Sequence, residues 1–258
     1  MTLTRQDLLD FILRENPSKF CFLIYDLLAD PDNCEFFGKF DEKKNFCVFV
    51  FKYLNNYVFY GSDALLLLPQ LTREKGEVAI VFDPSNQQPV EENFHQFRRG
   101  EDAGSGNFNT YVTMTCVKTD FLKYKENYSN SIKKIKRHDI TSNIPPPVSG
   151  ILDSNEIIAY GAVIDNQLVS IAPIPHLYLG EQIPRFGIIR GVWTDPHFRG
   201  KGLATHSMEK LCSVLFNEFY LEKIYLWVEK HNDPAQKVYK KIGFRCESSW
   251  RGSRCYFR

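Results

Sequence analysis

The chain has no Cys-x-x-Cys pair, no apolar run approaching a membrane span, and almost no net charge, and each lack removes a class of protein. The seven cysteines (Cys21, Cys34, Cys47, Cys116, Cys212, Cys246 and Cys255) are odd in number and show no metal-ligand spacing. Several sit in apolar runs, where a thiol behaves as a small hydrophobe. The expectation is reduced, buried cysteines, a cytoplasmic setting and no metal. A membrane helix needs about 18 or more apolar residues in a row, and no stretch supplies them. The opening MTLTRQDLLDFILREN has acidic residues throughout and lacks the apolar core of a signal peptide. The 32 basic and 31 acidic residues cancel to +1, so charge gives no reason to expect a nucleic-acid or membrane-surface partner.

What is present is an ordinary globular composition, 43% hydrophobic and 24% charged, over 258 residues. That length holds one large domain or two small ones, each with a core. Apolar spacing predicts helices over Thr4–Asn16 and Lys19–Ala29, then strands over Glu35–Phe40, Phe46–Tyr53 and Tyr57–Tyr60. A helix over Asp63–Leu71, a strand over Glu77–Phe82 and a polar helix over Pro89–Arg98 complete this half. Residues 99–106, with three glycines and no large apolar side chain, form the best linker. The expected division is therefore a smaller α+β domain in residues 1–98, the linker 99–106, and a second domain in residues 107–258.

The second half reads as a strand over Phe108–Val117, a lysine-rich helix over Phe121–Arg137, and a proline-bound connection over Asn143–Pro147. A hairpin follows, Glu156–Ile164 and Leu168–Pro173 around Asp165-Asn166-Gln167, then a strand over Gly187–Thr194. Gly200–Phe219 is the strongest helix, with Ala204, Met208, Leu211, Cys212, Leu215, Phe216 and Phe219 on one stripe. Ile224, Leu226 and Val228 alternate as in a strand, Asn232–Ile242 reads as a capped helix, and two short strands are expected in Phe244–Phe257. The order predicts a mixed α/β sheet.

The chemistry concentrates where the Gly187–Thr194 strand leads into the long helix. A helix N-terminus leaves backbone N–H groups unpaired and carries partial positive charge. Gly200 and Gly202 leave room beside it, and Arg199 and Lys201 add formal charge, so a phosphate can be cradled there. Taken alone, this is also what a glycine-rich turn before any helix looks like. About thirty residues on, Asn232 stands at an N-cap, Asp233 and Pro234 follow, and Ala235, Val238, Tyr239 and Ile242 share a helical face. Alone, Asn232 need only cap the helix, and Tyr239 need only pack.

Together the two blocks resemble the GNAT superfamily of acyl-CoA N-acyltransferases. The pattern R/Q-x-x-G-x-G/A is met by Arg199, Gly202 and Ala204, with alanine at the last position, which the family tolerates. The pattern L-x-V-x-x-x-N-x-x-A-x-x-x-Y-x-x-x-G-F is met by Leu226, Val228, Asn232, Ala235, Tyr239, Gly243 and Phe244. The resemblance implies a mostly antiparallel mixed sheet with two parallel strands splayed apart, Gly187–Thr194 and Lys223–Val228. It implies that the pantetheine arm of acetyl-CoA, or another short acyl-CoA, lies along Val192, Trp193 and Thr194. The pyrophosphate would rest on the amides of Arg199, Gly200, Lys201, Gly202, Leu203, Ala204 and Thr205. Asn232 would contact the pantetheine arm, and Tyr239 would aim its hydroxyl at the thioester sulfur as general acid. The implied reaction is direct attack of an amine on the thioester, with a strand N–H stabilising the carbonyl oxygen. Candidates for the base are Glu229, Asp195, His231 and His176.

Residues 1–98 carry no second such block but resemble the degenerate N-terminal half of two-domain acyltransferases, including glycine N-acyltransferase-like proteins. The acceptor is then a small-molecule or peptide amine. Two other readings stay open: an inactive acyl-CoA-binding regulatory module, and a protein N-terminal or lysine acetyltransferase. Acyl length, acceptor and oligomeric state are not legible at this level.

Overall fold

A computed structural model describes residues 3–41, 47–98, 108–121, 131–136, 139 and 157–258. The expected linker 99–106, the connection Asn143–Pro147 and most of the helix expected over Phe121–Arg137 lie outside these residues. The chain forms two compact units that are not contiguous in sequence. The first unit gathers Met1–Thr113, Glu229–Asn232 and Ser248–Arg258, and the second Met114–Val228 and Asp233–Glu247. Residues 107–258 therefore do not group as one block; their last eleven return to the N-terminal unit.

In the first unit, helix α1 (Arg5–Glu15) opens on a capping box between Thr4 and Asp7, and α2 (Cys21–Ala29) follows. Leu8, Leu9, Phe11 and Ile12 form the buried face of α1. Strands β1 (Cys34–Phe40), β2 (Cys47–Tyr53) and β3 (Asn56–Tyr60) make an antiparallel meander, and β4 (Val78–Phe82) pairs β3 in parallel. One layer of core is aromatic: Phe20 lies edge-on to Tyr60 and to Trp250, at 5.1 and 5.7 Å between centroids. Trp250 donates its indole N–H to the Lys19 carbonyl at 2.8 Å, so this buried ring is also satisfied.

Three expectations here need correction. The helix expected over Asp63–Leu71 is a 3₁₀ helix, Ala64–Gln70, with Pro69 inside it. Proline has no N–H to donate and disfavours a longer α-helical run. The polar helix expected over Pro89–Arg98 is α3 (Gln87–Asn93), which gives way to strand β5 (Phe94–Arg98). Phe94, fully buried, pairs Phe257 in this strand, a long-range contact that local pattern does not carry.

The remaining strands are β6 (Asn109–Val117), β7 (Lys133–Lys134), β8 (Ile158–Ile164), β9 (Gln167–Ile174), β10 (His176–Tyr178), β11 (Phe186–Ile189), β12 (Trp193–Thr194), β13 (Lys223–Glu229) and β14 (Arg245–Phe257). Helices α4 (Leu203–Asn217) and α5 (Asp233–Ile242) lie among them. Strand β7 replaces the last part of the helix expected up to Arg137. The third correction is β14, one continuous strand where two short ones were expected. Its Arg251–Cys255 stretch pairs β4, and the bond pattern to β5 shifts between Arg254 and Tyr256.

In the second unit the four-stranded sheet runs β12-β9-β8-β7, and α4 packs on β8 and β9. The β8–β9 hairpin turns on Asp165 and Asn166, both left-handed at φ 48 and 61, the geometry two-residue hairpins favour. Gly161 is obligatory in it, because a Cβ there would lie 2.1 Å from the Ser170 carbonyl oxygen. The fold is thus mixed α/β and mostly antiparallel, and among the described residues β3–β4 and β11–β13 pair in parallel. No helix among the described residues is long and apolar enough to cross a membrane, and no metal-type side-chain cluster occurs among them.

Candidate functional site

The site begins where a strand pair stops. β11 and β13 run parallel from Phe186↔Lys223 to Ile189↔Leu226. Beyond Ile189 the chain leaves β13. Gly191 takes a left-handed φ of 70, and two residues later Trp193 and Thr194 pair β9 instead, opposite Ile171 and Ser170. The strand expected over Gly187–Thr194 is therefore broken at Arg190–Val192, which belong to no strand. The Asp195 N–H donates to the Val169 carbonyl at 2.9 Å, and the Thr194 and Ser170 hydroxyls lie 2.9 Å apart, which holds the departed segment on β9. The result is a splayed pair, with the edge of β13 past Leu226 left by its former neighbour.

The turn into α4 follows directly. Asp195 caps a 3₁₀ turn, Pro196–Phe198, accepting from the His197 N–H at 2.8 Å. The Arg199 Nε donates back to the Thr194 carbonyl at 3.2 Å, and the Lys201 ammonium lies 4.7 Å from the centre of the Phe198 ring. Gly200 and Gly202 are left-handed, at φ 77 and 78. At Gly200 a Cβ would meet nothing within 4 Å, so backbone conformation, more than space, requires glycine there. At Gly202 a Cβ would also meet the His206 ring at 3.2 Å.

Gly202 is the N-cap of α4 and has no side chain to offer the first turn. The first intrahelical bond runs from the His206 N–H to the Gly202 carbonyl, at 3.0 Å. The amides of Leu203, Ala204 and Thr205 therefore lack intrahelical acceptors and a side-chain cap, as helix starts do. Such a terminus attracts anions. The Leu203 side chain is not part of this surface. It packs into a core cluster with Ile132, Ala162 and Val169, which fixes the helix start on the sheet.

Tyr239 sits on the buried face of α5 with Gln236 and Ile242, its ring 6.1 Å from that of Phe244. Burial pushes its hydroxyl up to about 12. It holds its proton at any physiological pH. Asn232 is exposed, in the turn between β13 and α5, and its N–H donates to the Glu229 carbonyl at 3.0 Å.

The base candidates separate. Asp195 is engaged as the turn cap just described. His231 is exposed. Glu229 accepts from the Asn109 side-chain amide at 3.2 Å. His176 faces Arg190, with 3.3 Å between its Nε2 and the guanidinium Nη1. Burial first, and the guanidinium second, lower its pKa to about 4, so the ring is neutral and a weak base.

Sequence reasoning missed the Arg190–His176 pair and the pivot at Gly191. The pivot had a signal, since a lone glycine inside an apolar strand pattern often marks a bulge or break. The pair had none, because β10 and β11 meet only through tertiary pairing, His176 opposite Ile188.

Comparison with known proteins agrees with this geometry. Residues 118–244 match the acetyltransferase (GNAT) family. Over 80 residues the chain is 35% identical to a spermidine N(1)-acetyltransferase of Escherichia coli (strain K12), covering 31% of this chain and 39% of that one. Over 91 residues it is 31% identical to an N-alpha-acetyltransferase of Saccharolobus solfataricus, covering 33% of this chain and 54% of that one. The chain thus spans about half or less of the curated relatives it matches. Along 98% of its length it shares a fold with a tandem GNAT protein from the clavulanic acid biosynthesis pathway, which it covers to 97%, at a TM-score of 0.50 and 12% identity. The splayed pair, the uncapped helix start and the family match lead to one conclusion: the chain carries an acetyltransferase domain of the GNAT superfamily, over residues 118–244.

Proposed function

We propose that the chain transfers an acyl group, acetyl in the first instance, from acyl-CoA to an amine. The observation that carries this reading is the parallel pair that opens at Ile189/Leu226 and leads, through two left-handed glycines, to the free amides of α4. An acyl-CoA fits those groups. The backbone of Val192, Trp193 and Thr194 would run beside the pantetheine arm. The turn and helix start from Arg199 through Gly200, Lys201, Gly202, Leu203 and Ala204 to Thr205 would receive the pyrophosphate. Asn232 would reach the pantetheine arm from the β13–α5 turn.

Acyl-CoA supplies the activated carbonyl. A neutral amine attacks it, the C–S bond breaks as CoA leaves as its thiolate, and the amine's extra proton passes to water; the chain's contribution is to place that carbonyl, donate to its oxygen from a strand N–H, and donate to the departing sulfur. Tyr239, protonated and buried, is the proposed donor to sulfur. A polyamine and a peptide N-terminus are the two acceptor types that the relatives bring forward, the first favoured by the higher identity of the spermidine enzyme. The seven free thiols suit a reducing, cytoplasmic setting.

The test is direct. Calorimetry should show CoA binding to the wild-type chain, and Gly202→Val should abolish it, since valine cannot hold φ 78 at low cost and crowds the His206 ring. Wild-type affinity in a folded Gly202→Val protein would sink the assignment of the site. Release of CoA thiol on adding spermidine or short peptides then distinguishes an enzyme from an inactive binding module.

A further inference from the structure

Strand β1, in the first unit, ends its sheet with β2 as its one neighbour among the described residues. Which of its backbone groups face outward follows from the register. The β2–β3 hairpin closes on Tyr53↔Asn56 around two residues, so Tyr53 turns its N–H and C=O toward β3. The Ala79 and Asp83 N–H groups donate to the Asn55 and Phe59 carbonyls, which fixes the same alternation from the β4 side. Lys52, Val50 and Val48 therefore bond β1, opposite Glu35, Phe37 and Lys39. Cys34, Phe36, Gly38 and Phe40 turn their backbone groups away from β2. The Cys34 N–H donates to the Pro31 carbonyl, which leaves the N–H groups of Phe36, Gly38 and Phe40 along the edge.

Both faces of this strand are occupied. On one, Phe40 stands edge-on to Phe11 of α1 at 6.0 Å, and a Cβ on Gly38 would lie 2.7 Å from Leu3. On the other, Val48 and Val50, the cross-strand partners of Lys39 and Phe37, join a core cluster with Leu65 and Leu68 of the 3₁₀ helix. The edge itself is what the strand has left to offer, and such an edge accepts another strand. Apolar surface lies beside it: Phe37 is 36% exposed, and Leu66 of the 3₁₀ helix 77%.

The charges along the edge select the partner. Glu35, Phe37 and Lys39 point to one face, with opposite charges flanking Phe37 symmetrically. Glu35 and Glu74 share the Lys52 ammonium, so the Glu35 end is net negative, while Lys39 at the other end is exposed. A second copy of β1 laid antiparallel, with Phe37 opposite Phe37, sets each Glu35 against the other copy's Lys39. The same register sets Phe36 opposite Gly38, where each outward N–H meets an outward carbonyl. The neighbouring registers lose the match: one sets Glu35 opposite Asp41, the other Glu35 opposite Phe37. An edge lysine discourages most strands, but a carboxylate directly opposite turns it into a contact.

We infer that β1 is a self-pairing edge, and that two copies of the chain join there by antiparallel strand addition about Phe37. Sedimentation velocity of the full chain, from low to high micromolar, should show a monomer–dimer equilibrium that weakens with added salt. Hydrogen exchange at the amides of Phe36, Gly38 and Phe40 should slow as the dimer forms. Lys39→Glu sets like charges opposite each other and should weaken the dimer roughly tenfold or more, whereas Lys39→Arg should keep it. Phe37→Cys brings two thiols face to face, and mild oxidation should join two chains at that position, beyond any wild-type background. Phe37 and Lys39 are exposed, so thermal melts of the variants should match the wild type at concentrations where all are monomeric. A monomer at every concentration would overturn the inference and leave the edge to solvent or to a different chain. A dimer indifferent to Lys39→Glu, without slowed exchange at 36–40 or a cross-link in Phe37→Cys, would place the contact elsewhere and overturn it too. Assembly beyond a dimer would do the same, because pairing about a two-fold closes.

Discussion

Replacing Tyr239 by phenylalanine isolates one hydroxyl, and the structure sets how much it can matter. Burial holds that hydroxyl at about 12. A free thiol has a pKa near ~8.5, and each unit of mismatch is worth ~1.4 kcal/mol, so full proton transfer to a thiolate is uphill by about 5 kcal/mol. The near match of acid and leaving group suggested by an ordinary tyrosine (~10) does not survive burial. What remains is a hydrogen bond to a sulfur that gains negative charge as the bond to carbon breaks. A hydrogen bond to a charged partner contributes ~1.5–3 kcal/mol, which translates to a loss of about 10- to 100-fold in turnover. Because Phe keeps the shape of the buried ring, CoA affinity and Tm should change little. The assay is CoA thiol release at saturating acceptor, with a pre-steady-state measurement to establish that chemistry limits the rate. An acyl donor with a more acidic thiol should narrow the gap between wild type and variant, since its thiolate needs less help. An unchanged kcat with chemistry limiting would refute the reasoning and make Tyr239 a packing residue. A loss beyond ten-thousandfold, with the fold intact, would refute it in the other direction and require full proton transfer.

Three further outcomes follow from the packing. Lys52 is almost fully buried and bonds Glu35 at 2.7 Å and Glu74 at 2.8 Å, while Glu35 also accepts the Thr72 N–H at 2.8 Å. Lys52→Met should cost about 2 kcal/mol, discounted because both carboxylates are part-exposed, or about 4–8 °C in Tm by thermal melt; less than 1 °C would contradict the network. Burial raises the Glu35 pKa, but hydrogen bonds from Lys52 and Thr72 more than offset it and leave the carboxyl below its ordinary value. Its stabilisation is present above the unfolded value of ~4.3 and is lost as pH falls through the lower folded one, so the wild-type advantage over Lys52→Met should shrink on acidification. A fragment from Gly106 to Arg258 should fail to give a sharp thermal transition, because Arg251–Cys255 would lose their β4 partners; a cooperative melt of that fragment would count against the division into units. Gly161→Ala should lower Tm by several degrees through its clash with the Ser170 carbonyl, and a neutral result would show that the β8–β9 hairpin can widen at that point.

Much of the second unit was legible because local pattern and tertiary fate agree there. The apolar stripe of α4, the alternation of β13 and the turn at Asp165-Asn166 each describe a face that ends up buried or a turn that ends up tight. The motif residues were legible as positions, but their physical roles were less so. Gly200 serves a backbone angle more than a close approach, and Arg199 is tied to the Thr194 carbonyl. What stayed hidden depends on partners distant in sequence. Residues 94–98 become a strand only because β14 arrives to pair them, and the break after Ile189 exists because β9 captures Trp193 and Thr194. Neither decision is written in a local period.

The return of Ser248–Arg258 to the first unit has a consequence for how the protein is made. Phe82 pairs Arg251 and Val78 pairs Cys255, so the sheet of the N-terminal unit is completed by residues synthesised long after β4. While the ribosome is still at work, the outer edge of β4 and the seat of Trp250 beside Phe20 wait without their occupants. Pairings of such sequence separation fold slowly, and exposed edges in nascent chains invite association. A stop or frameshift between Phe244 and Ser248 would leave every motif residue of the second unit intact and still deny the first unit its closing strand.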